Sequence, residues 1–141
     1  MTFDTVLKKF TTRGLRMDDI RHYLDAGGDI NHRDETMGWS LLHYAAEDCN
    51  PEAIKLLATR GADLNLADGG GWTPLHLAVD RDMDTSSRDG RPASELPTVQ
   101  ALIDIGAKEN VKALDGATPR DIAIAYGQEA LYDSLPRPKA A

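Results

Sequence analysis

Apolar residues recur along the chain in short groups with the spacing of a helix face, and polar turns separate the groups. The apolar residues within 75–79 are spaced i, i+3, i+4, and those within 42–46 repeat that spacing. Each group is followed by a second apolar segment of helical length. The pattern therefore predicts pairs of helices, with second helices over residues 18–26, 51–60 and 98–105.

These paired segments return at a fixed period. Residues 38–43, Gly-Trp-Ser-Leu-Leu-His, recur as Gly-Trp-Thr-Pro-Leu-His at 71–76, thirty-three residues later. Residues 27–31 recur at 61–65 and again at 106–110, where the second spacing is forty-five residues. A constant period in this range indicates an array of stacked supersecondary units.

The longer spacing places an insertion of twelve residues in one unit, near 80–97. This stretch is polar and contains Gly90, Pro92 and Pro97, so we predict a long loop rather than one continued helix. A long loop in a compact array is either functional or merely tolerated. We favour a function because the insertion leaves from the exposed end of a first helix.

Residue types at the helix ends support the same boundaries. Ser40, Thr73 and Thr118 stand where a side-chain oxygen caps a first turn, and proline follows two of them. A glycine directly follows each second helix, as Gly61 does. We predict that these glycines adopt the left-handed conformation that commonly ends a helix.

A helix, a turn, a second helix and a hairpin within thirty-three residues resemble the ankyrin repeat. The resemblance is carried by Thr-Pro-Leu-His-Leu-Ala at 73–78 and Gly-Ala-Asp-Leu-Asn at 61–65. It implies an all-α ankyrin repeat solenoid, in which stacked helix-turn-helix units are joined by β-hairpin-like loops. Polar residues in the first and last units are typical of terminal caps, which predicts a complete array. We expect one domain over 1–141, with repeats at about 3–33, 34–67, 68–112 and 113–135 and a tail over 136–141.

The composition argues against several classes of function. Sixteen basic and 23 acidic residues give a net charge of −7, which disfavours nucleic-acid binding and favours a protein partner with a basic patch. No segment approaches the roughly 20 apolar residues of a membrane span. Cys49 is the only cysteine, as is typical of a reducing compartment, so we expect a cytoplasmic protein.

Candidate chemistry is sparse. The ankyrin resemblance implies that His43 and His76 are structural and bond to backbone between hairpins and helices, so we expect no catalytic residue and no cofactor. The alternating aspartates of 80–84 begin like a calcium loop, but Arg91 stands where a bidentate Glu should close the site. We therefore predict a solvated acidic loop and no metal site.

The resemblance also implies where a partner binds. The residue before the helix cap faces solvent on the concave side, and two units have tryptophan there. We interpret Trp39 and Trp72 as binding anchors, with support of the neighbouring hairpin as the alternative role. Further candidates lie at the exposed ends of first helices and on hairpin edges: Glu47, Asp48, Asp80, Arg81, Arg33 and Lys112.

These features favour a non-enzymatic module that binds one protein partner through its concave face, hairpin tips and insertion. An immunity or antitoxin-type protein that inhibits a toxic enzyme would use the same surface. A metal-dependent enzyme would instead use the histidines with the carboxylates of the insertion and would hold a metal ion. A self-associating chain would use the two tryptophans, whereas we expect a monomer.

Overall fold

The computed structural model of the chain describes residues 2–88 and 96–138. All regular secondary structure within these residues is helical, which confirms the predicted all-α repeat solenoid. None of the helices found there combines the length and the apolar character needed to cross a bilayer. The helices are α1 Phe3–Arg13, α2 Met17–Asp25, α3 Leu41–Glu47, α4 Pro51–Thr59, α5 Pro74–Arg88, α6 Pro97–Asp104, α7 Pro119–Ala125 and α8 Glu129–Ser134.

The helices form two rows that run from one helix pair to the next. In the first row α3 packs against α5 and α5 against α7, while in the second row α2 packs against α4 and α4 against α6. Leu42, Leu57 and Leu75 are at most 1% exposed in the shared core. Ala45 and Ala78 are 0% exposed, and their small side chains allow the first helices to approach closely.

The predicted side-chain caps are confirmed at Ser40 and Thr118, and the predicted left-handed glycine is confirmed at Gly61. The Ser40 and Thr118 side chains each accept a hydrogen bond from the backbone N–H three residues on, at the start of α3 and α7. At the end of α4, Gly61 has φ +90°, and the Ala62 N–H donates to the Leu57 carbonyl at 3.0 Å. This is the Schellman arrangement, which satisfies carbonyl groups left over by the last turn.

Hairpin tips between the helix pairs are bonded to one another. The tips cover residues 34–39, 68–72 and 113–117, and the N–H of the first residue of each donates to the carbonyl of the last. The Gly69 N–H donates to the Met37 carbonyl at 2.9 Å, and the Leu114 N–H donates to the Gly70 carbonyl at 3.0 Å. The three tips therefore form one continuous, hydrogen-bonded edge of the array.

The insertion begins differently from the loop predicted by its polarity. α5 continues to Arg88, so the loop prediction is wrong for residues 80–88, while residues 89–95 lie outside the described residues. Met83 explains the extra turns, because it lies four residues after Val79 on the same helix face and is only 1% exposed. The apolar stripe of the repeat thus runs into the insertion.

Asp82 is buried by the same extension and caps a different helix. Its carboxylate is 5% exposed, and Oδ2 accepts hydrogen bonds from the Thr98 and Val99 N–H groups at 3.1 and 3.0 Å. The N-cap residue of α6 itself, Leu96, offers no side-chain hydrogen bond. The prediction of a solvated acidic loop is therefore wrong at Asp82, where burial raises the pKa even though these bonds favour the ionised form.

Replacing Asp82 tests this cap. Asp82→Ala leaves two N–H groups at the start of α6 without their acceptor, and we expect the free energy of unfolding to fall by about 1–2 kcal/mol in urea titrations. Asp82→Asn is the matched control, because it retains an acceptor oxygen at the same place without the buried charge. Equal losses from the two variants would contradict the capping role.

Candidate functional site

His43 is fully buried and joins two neighbouring units. Its Nδ1 accepts from the Ser40 N–H at 3.1 Å, and its Nε2 lies 2.9 Å from the Trp72 carbonyl oxygen. A backbone N–H only donates and a carbonyl only accepts, so these contacts require the neutral tautomer with its proton on Nε2. The imidazole therefore closes the cap of α3 and bonds the next hairpin at the same time.

The next unit repeats the arrangement. His76 Nδ1 accepts from the Thr73 N–H at 3.0 Å, and Nε2 lies 2.9 Å from the Ala117 carbonyl oxygen. Burial lowers the pKa of both imidazoles, which keeps them in the neutral form that the contacts require. The predicted structural role of the two histidines is confirmed by these bonds.

Asp121 takes only half of that role in α7. Its Oδ2 accepts from the Thr118 N–H at 2.9 Å, as the imidazole nitrogen does in the preceding units. A carboxylate has no proton to donate to a further hairpin. The aspartate thus preserves the helix cap in the last unit and gives up the bond between units.

Trp39 is packed inside the array rather than displayed to solvent. It is 8% exposed, its ring meets Tyr44 edge-on at 5.1 Å, and its Nε1–H donates to Asp68 Oδ2 on the next hairpin tip at 3.0 Å. The expectation of a solvent-facing side chain is wrong for Trp39. The acceptor that holds it lies twenty-nine residues further along the chain, where inspection of a single motif does not find it.

Trp72 differs from Trp39 in its exposure and in its hydrogen bonding. It is partly exposed and stacks on His76 with 5.7 Å between ring centroids. The residue of the next unit that corresponds to Asp68 is Ala113, which has no side-chain acceptor. Within the described part of the chain, the Trp72 indole N–H makes no hydrogen bond.

Three of the charged candidates link adjacent units. Arg81 Nε lies 3.6 Å from Glu47 Oε1, and the Tyr126 hydroxyl donates to Asp80 Oδ1 at 2.9 Å. Burial and the charge of Asp80 raise the pKa of Glu47, against the opposing effect of Arg81. These three side chains therefore contribute to the stack itself, and each is only partly exposed.

The remaining charged candidates are more accessible. Asp48, Arg33 and Lys112 are exposed, and Arg33 Nη1 donates to the Ala67 carbonyl on the next hairpin at 3.1 Å. Inspection of the sequence missed two exposed apolar residues on the hairpin tips, Met37 at 51% and Leu114 at 82%. The available signal was an apolar residue inside each of two otherwise polar turns.

Metal-ligating and nucleophilic side chains do not cluster in the described residues. Among them, no three His, Cys, Asp or Glu side chains are placed to hold a metal ion together. Cys49 lies in the turn between α3 and α4, and burial raises the pKa of its thiol, which reduces the thiolate fraction. Two shallow depressions, one on α1 and one beside α8, are lined by neither His43 nor His76.

Comparisons with known proteins agree with this architecture. A family profile described as ankyrin repeats (3 copies) matches residues 13–87, and a profile described as ankyrin repeat matches residues 70–114. A putative ankyrin repeat protein of Rickettsia felis is 32% identical over 119 residues, which cover 82% of this chain and 49% of that protein.

Two further relatives have more specific names. Human protein phosphatase 1 regulatory subunit 27 is 36% identical over 85 residues, covering 60% of this chain and 47% of that protein. Potassium channel AKT1 of Oryza sativa subsp. indica is 43% identical over 68 residues, covering 48% of this chain and 7% of that protein. The chain therefore spans at most about half the length of these curated relatives.

The buried histidines predict a pH dependence of stability. The lowered pKa of each folded imidazole lies below the ordinary value of about 6.5, so the unfolded chain takes up protons first as the pH falls. We expect the free energy of unfolding to decrease between about pH 7 and pH 5 in urea titrations, and the decrease to be smaller in the double variant His43→Gln plus His76→Gln. His22→Gln, at an exposed position, is the control; parallel curves for wild type and double variant would contradict the prediction.

The two tryptophans are expected to differ in indole hydrogen exchange. In ¹⁵N–¹H NMR spectra the Trp39 Nε1–H should exchange slowly with solvent and the Trp72 Nε1–H quickly. Asp68→Asn retains an oxygen for the turn but places an amide N–H opposite Trp39, so we expect faster exchange at Trp39 and a loss of about 1 kcal/mol in stability. Asp63→Asn, in another turn of the same type, is the control; equal protection of both indoles in the wild type would refute the assignment.

Proposed function

The chain belongs to the ankyrin repeat family, and we propose that it is a non-enzymatic module that binds one protein partner through its first helices, hairpin tips and insertion. The observation that supports this proposal most directly is the bonded row of hairpin tips. It places exposed residues from three successive units on one preorganised edge. Preorganisation reduces the conformational entropy lost when a partner binds.

Charge supports a partner with a basic patch. Glu47, Asp48, Asp80 and Asp84 lie on or directly after the first helices of two neighbouring units, where the basic residues are Arg81 and Arg88. Complementary charge accelerates association and selects against partners with an acidic surface. The overall charge of −7 acts in the same direction at long range.

The relatives support a regulatory role for the binding. One relative that covers 60% of the chain is named as a regulatory subunit of protein phosphatase 1. By that similarity, the partner proposed here is an enzyme whose activity the chain regulates or inhibits. The single cysteine supports a reducing, cytoplasmic setting for this complex.

A capture experiment tests the proposed surface. Purified chain is used as bait in host lysate, captured proteins are identified by mass spectrometry, and the affinity for the main partner is measured by calorimetry. The double variant Asp48→Lys plus Lys112→Glu exchanges two exposed charges without changing the net charge. We expect it to bind at least about tenfold more weakly, because Asp48→Lys places a positive charge against the basic patch proposed for the partner, while Lys112→Glu keeps the net charge unchanged.

The control makes the same exchange on another face. Glu52→Lys plus Lys55→Glu alters two exposed residues of α4, in the second row of helices, and should retain wild-type affinity. Both variants should unfold at the wild-type urea midpoint. Equal affinity of the two variants, or no specific partner from the lysate, would contradict the proposal.

A further inference from the structure

The hairpin tips carry an unequal pair of tryptophans, and the difference lies in one residue. Asp68 accepts the Trp39 indole N–H at 3.0 Å, whereas Ala113 occupies the corresponding place next to Trp72. The Trp72 ring stacks on its own histidine as the Trp39 ring does, so the two units share the same local arrangement. The Trp72 indole N–H is therefore a hydrogen-bond donor that has no acceptor among the described residues.

Two exposed apolar side chains lie on the tips that flank the tip of Trp72. Met37 is 51% exposed on the first tip and Leu114 is 82% exposed on the third, and the middle tip carries the exposed glycines Gly69 and Gly70. The backbone bonds from Gly69 to Met37 and from Leu114 to Gly70 fix the three tips relative to one another. We refer to Met37, Gly69, Gly70, Trp72 and Leu114 as the hairpin saddle.

The glycines of the middle tip leave its backbone accessible and allow the neighbouring tip to approach closely. A side chain at Gly71 would meet the Leu114 backbone nitrogen at 2.6 Å, which shows how closely the second and third tips approach. Gly69 and Gly70 are exposed, so a partner can reach the backbone between the two apolar side chains. The saddle therefore combines two exposed apolar side chains with accessible backbone on one hydrogen-bonded edge.

Acidic residues outnumber basic ones around the saddle. The tip segments 34–38, 68–71 and 113–116 contain four acidic residues, and two of the segments are directly preceded by a basic residue, Arg33, which donates to the Ala67 carbonyl, and Lys112. Asp34 and Asp68 already accept backbone N–H groups of their own turns at 2.8–2.9 Å. Glu35 and Asp115 are exposed, and each lies within two residues of an exposed apolar side chain.

We propose that the hairpin saddle docks an extended segment of a protein partner that carries an apolar side chain flanked by Lys or Arg. The apolar side chain lies over Gly69 and Gly70 between Met37 and Leu114. A backbone carbonyl of the segment accepts the Trp72 indole N–H. The flanking cations pair with the exposed carboxylates of Glu35 and Asp115. This inference rests on the proposed protein-binding function and names the chemistry of the partner segment.

A peptide selection tests the proposal without knowledge of the natural partner. A random-peptide phage library is selected on the full chain, and enriched sequences are synthesised and titrated against it. We expect Leu, Met or Phe next to Lys or Arg in the enriched peptides, and a shift of the Trp72 Nε1–H resonance on binding. Ala113→Asp supplies the carboxylate that Asp68 supplies to Trp39, and should weaken these peptides about tenfold by occupying the indole donor.

Two further variants keep the test decisive. Leu114→Ser removes an apolar side chain from an exposed position and should weaken the same peptides without changing the urea midpoint. Ala130→Asp makes the same substitution as Ala113→Asp on exposed α8 and should leave binding unchanged. Unchanged affinity in both Ala113→Asp and Leu114→Ser, enrichment of acidic peptides, or no enrichment would overturn the proposal.

The same variants distinguish other molecules that could bind at the saddle. If light scattering shows a dimer of the wild type that Leu114→Ser dissociates, the saddle contacts a second copy and the proposal is overturned. A lysate partner that Leu114→Ser retains, but that the Asp48→Lys plus Lys112→Glu variant loses, would leave the proposed function standing and reject the saddle. Loss of lysate partner and library peptides together in Leu114→Ser would support both.

Discussion

The array depends on the neutral imidazole that each of its two central units buries. One nitrogen accepts the N–H at the helix cap, and the other donates to the hairpin of the following unit, so a single ring holds both the local turn and the stacking. A cationic imidazole would lose the acceptor, and a carboxylate would lose the donor. Ser-x-x-His and Thr-x-x-His therefore cap a helix and bond it to the next unit, whereas Thr-x-x-Asp in α7 caps the helix without that bond.

The tryptophans show how one sequence motif acquires two roles. Trp39 and Trp72 occupy the same repeat position and stack on equivalent histidines. The Trp39 indole N–H donates to the Asp68 carboxylate, whereas the Trp72 indole N–H has no acceptor among the described residues. The residue that decides between them belongs to the next unit. In a stacked array, a residue of the neighbouring repeat thus decides whether a side-chain donor is already bonded or remains available to a partner.

Features that depend on local order could be predicted from the sequence. The period, the caps at Ser40 and Thr118 and the glycine after each second helix follow from rules that act within a few residues. The burial of Trp39 could not be predicted in this way, because it requires the contact with Asp68 on another tip. The extension of α5 was indicated by Met83, which continues the apolar stripe of Val79. The polar residues around Met83 favoured a loop instead, and they determined the prediction.

Asp82 links the two helices on either side of the insertion. Its carboxylate in α5 accepts the Thr98 and Val99 N–H groups at the start of α6, so the helices before and after the insertion are bonded to each other at this point. In general, each doubling of the length of a loop whose ends are held together costs only about 0.6 kcal/mol in closure entropy. The connection between α5 and α6 can therefore change in length, in the course of evolution or by design, at a small entropic cost.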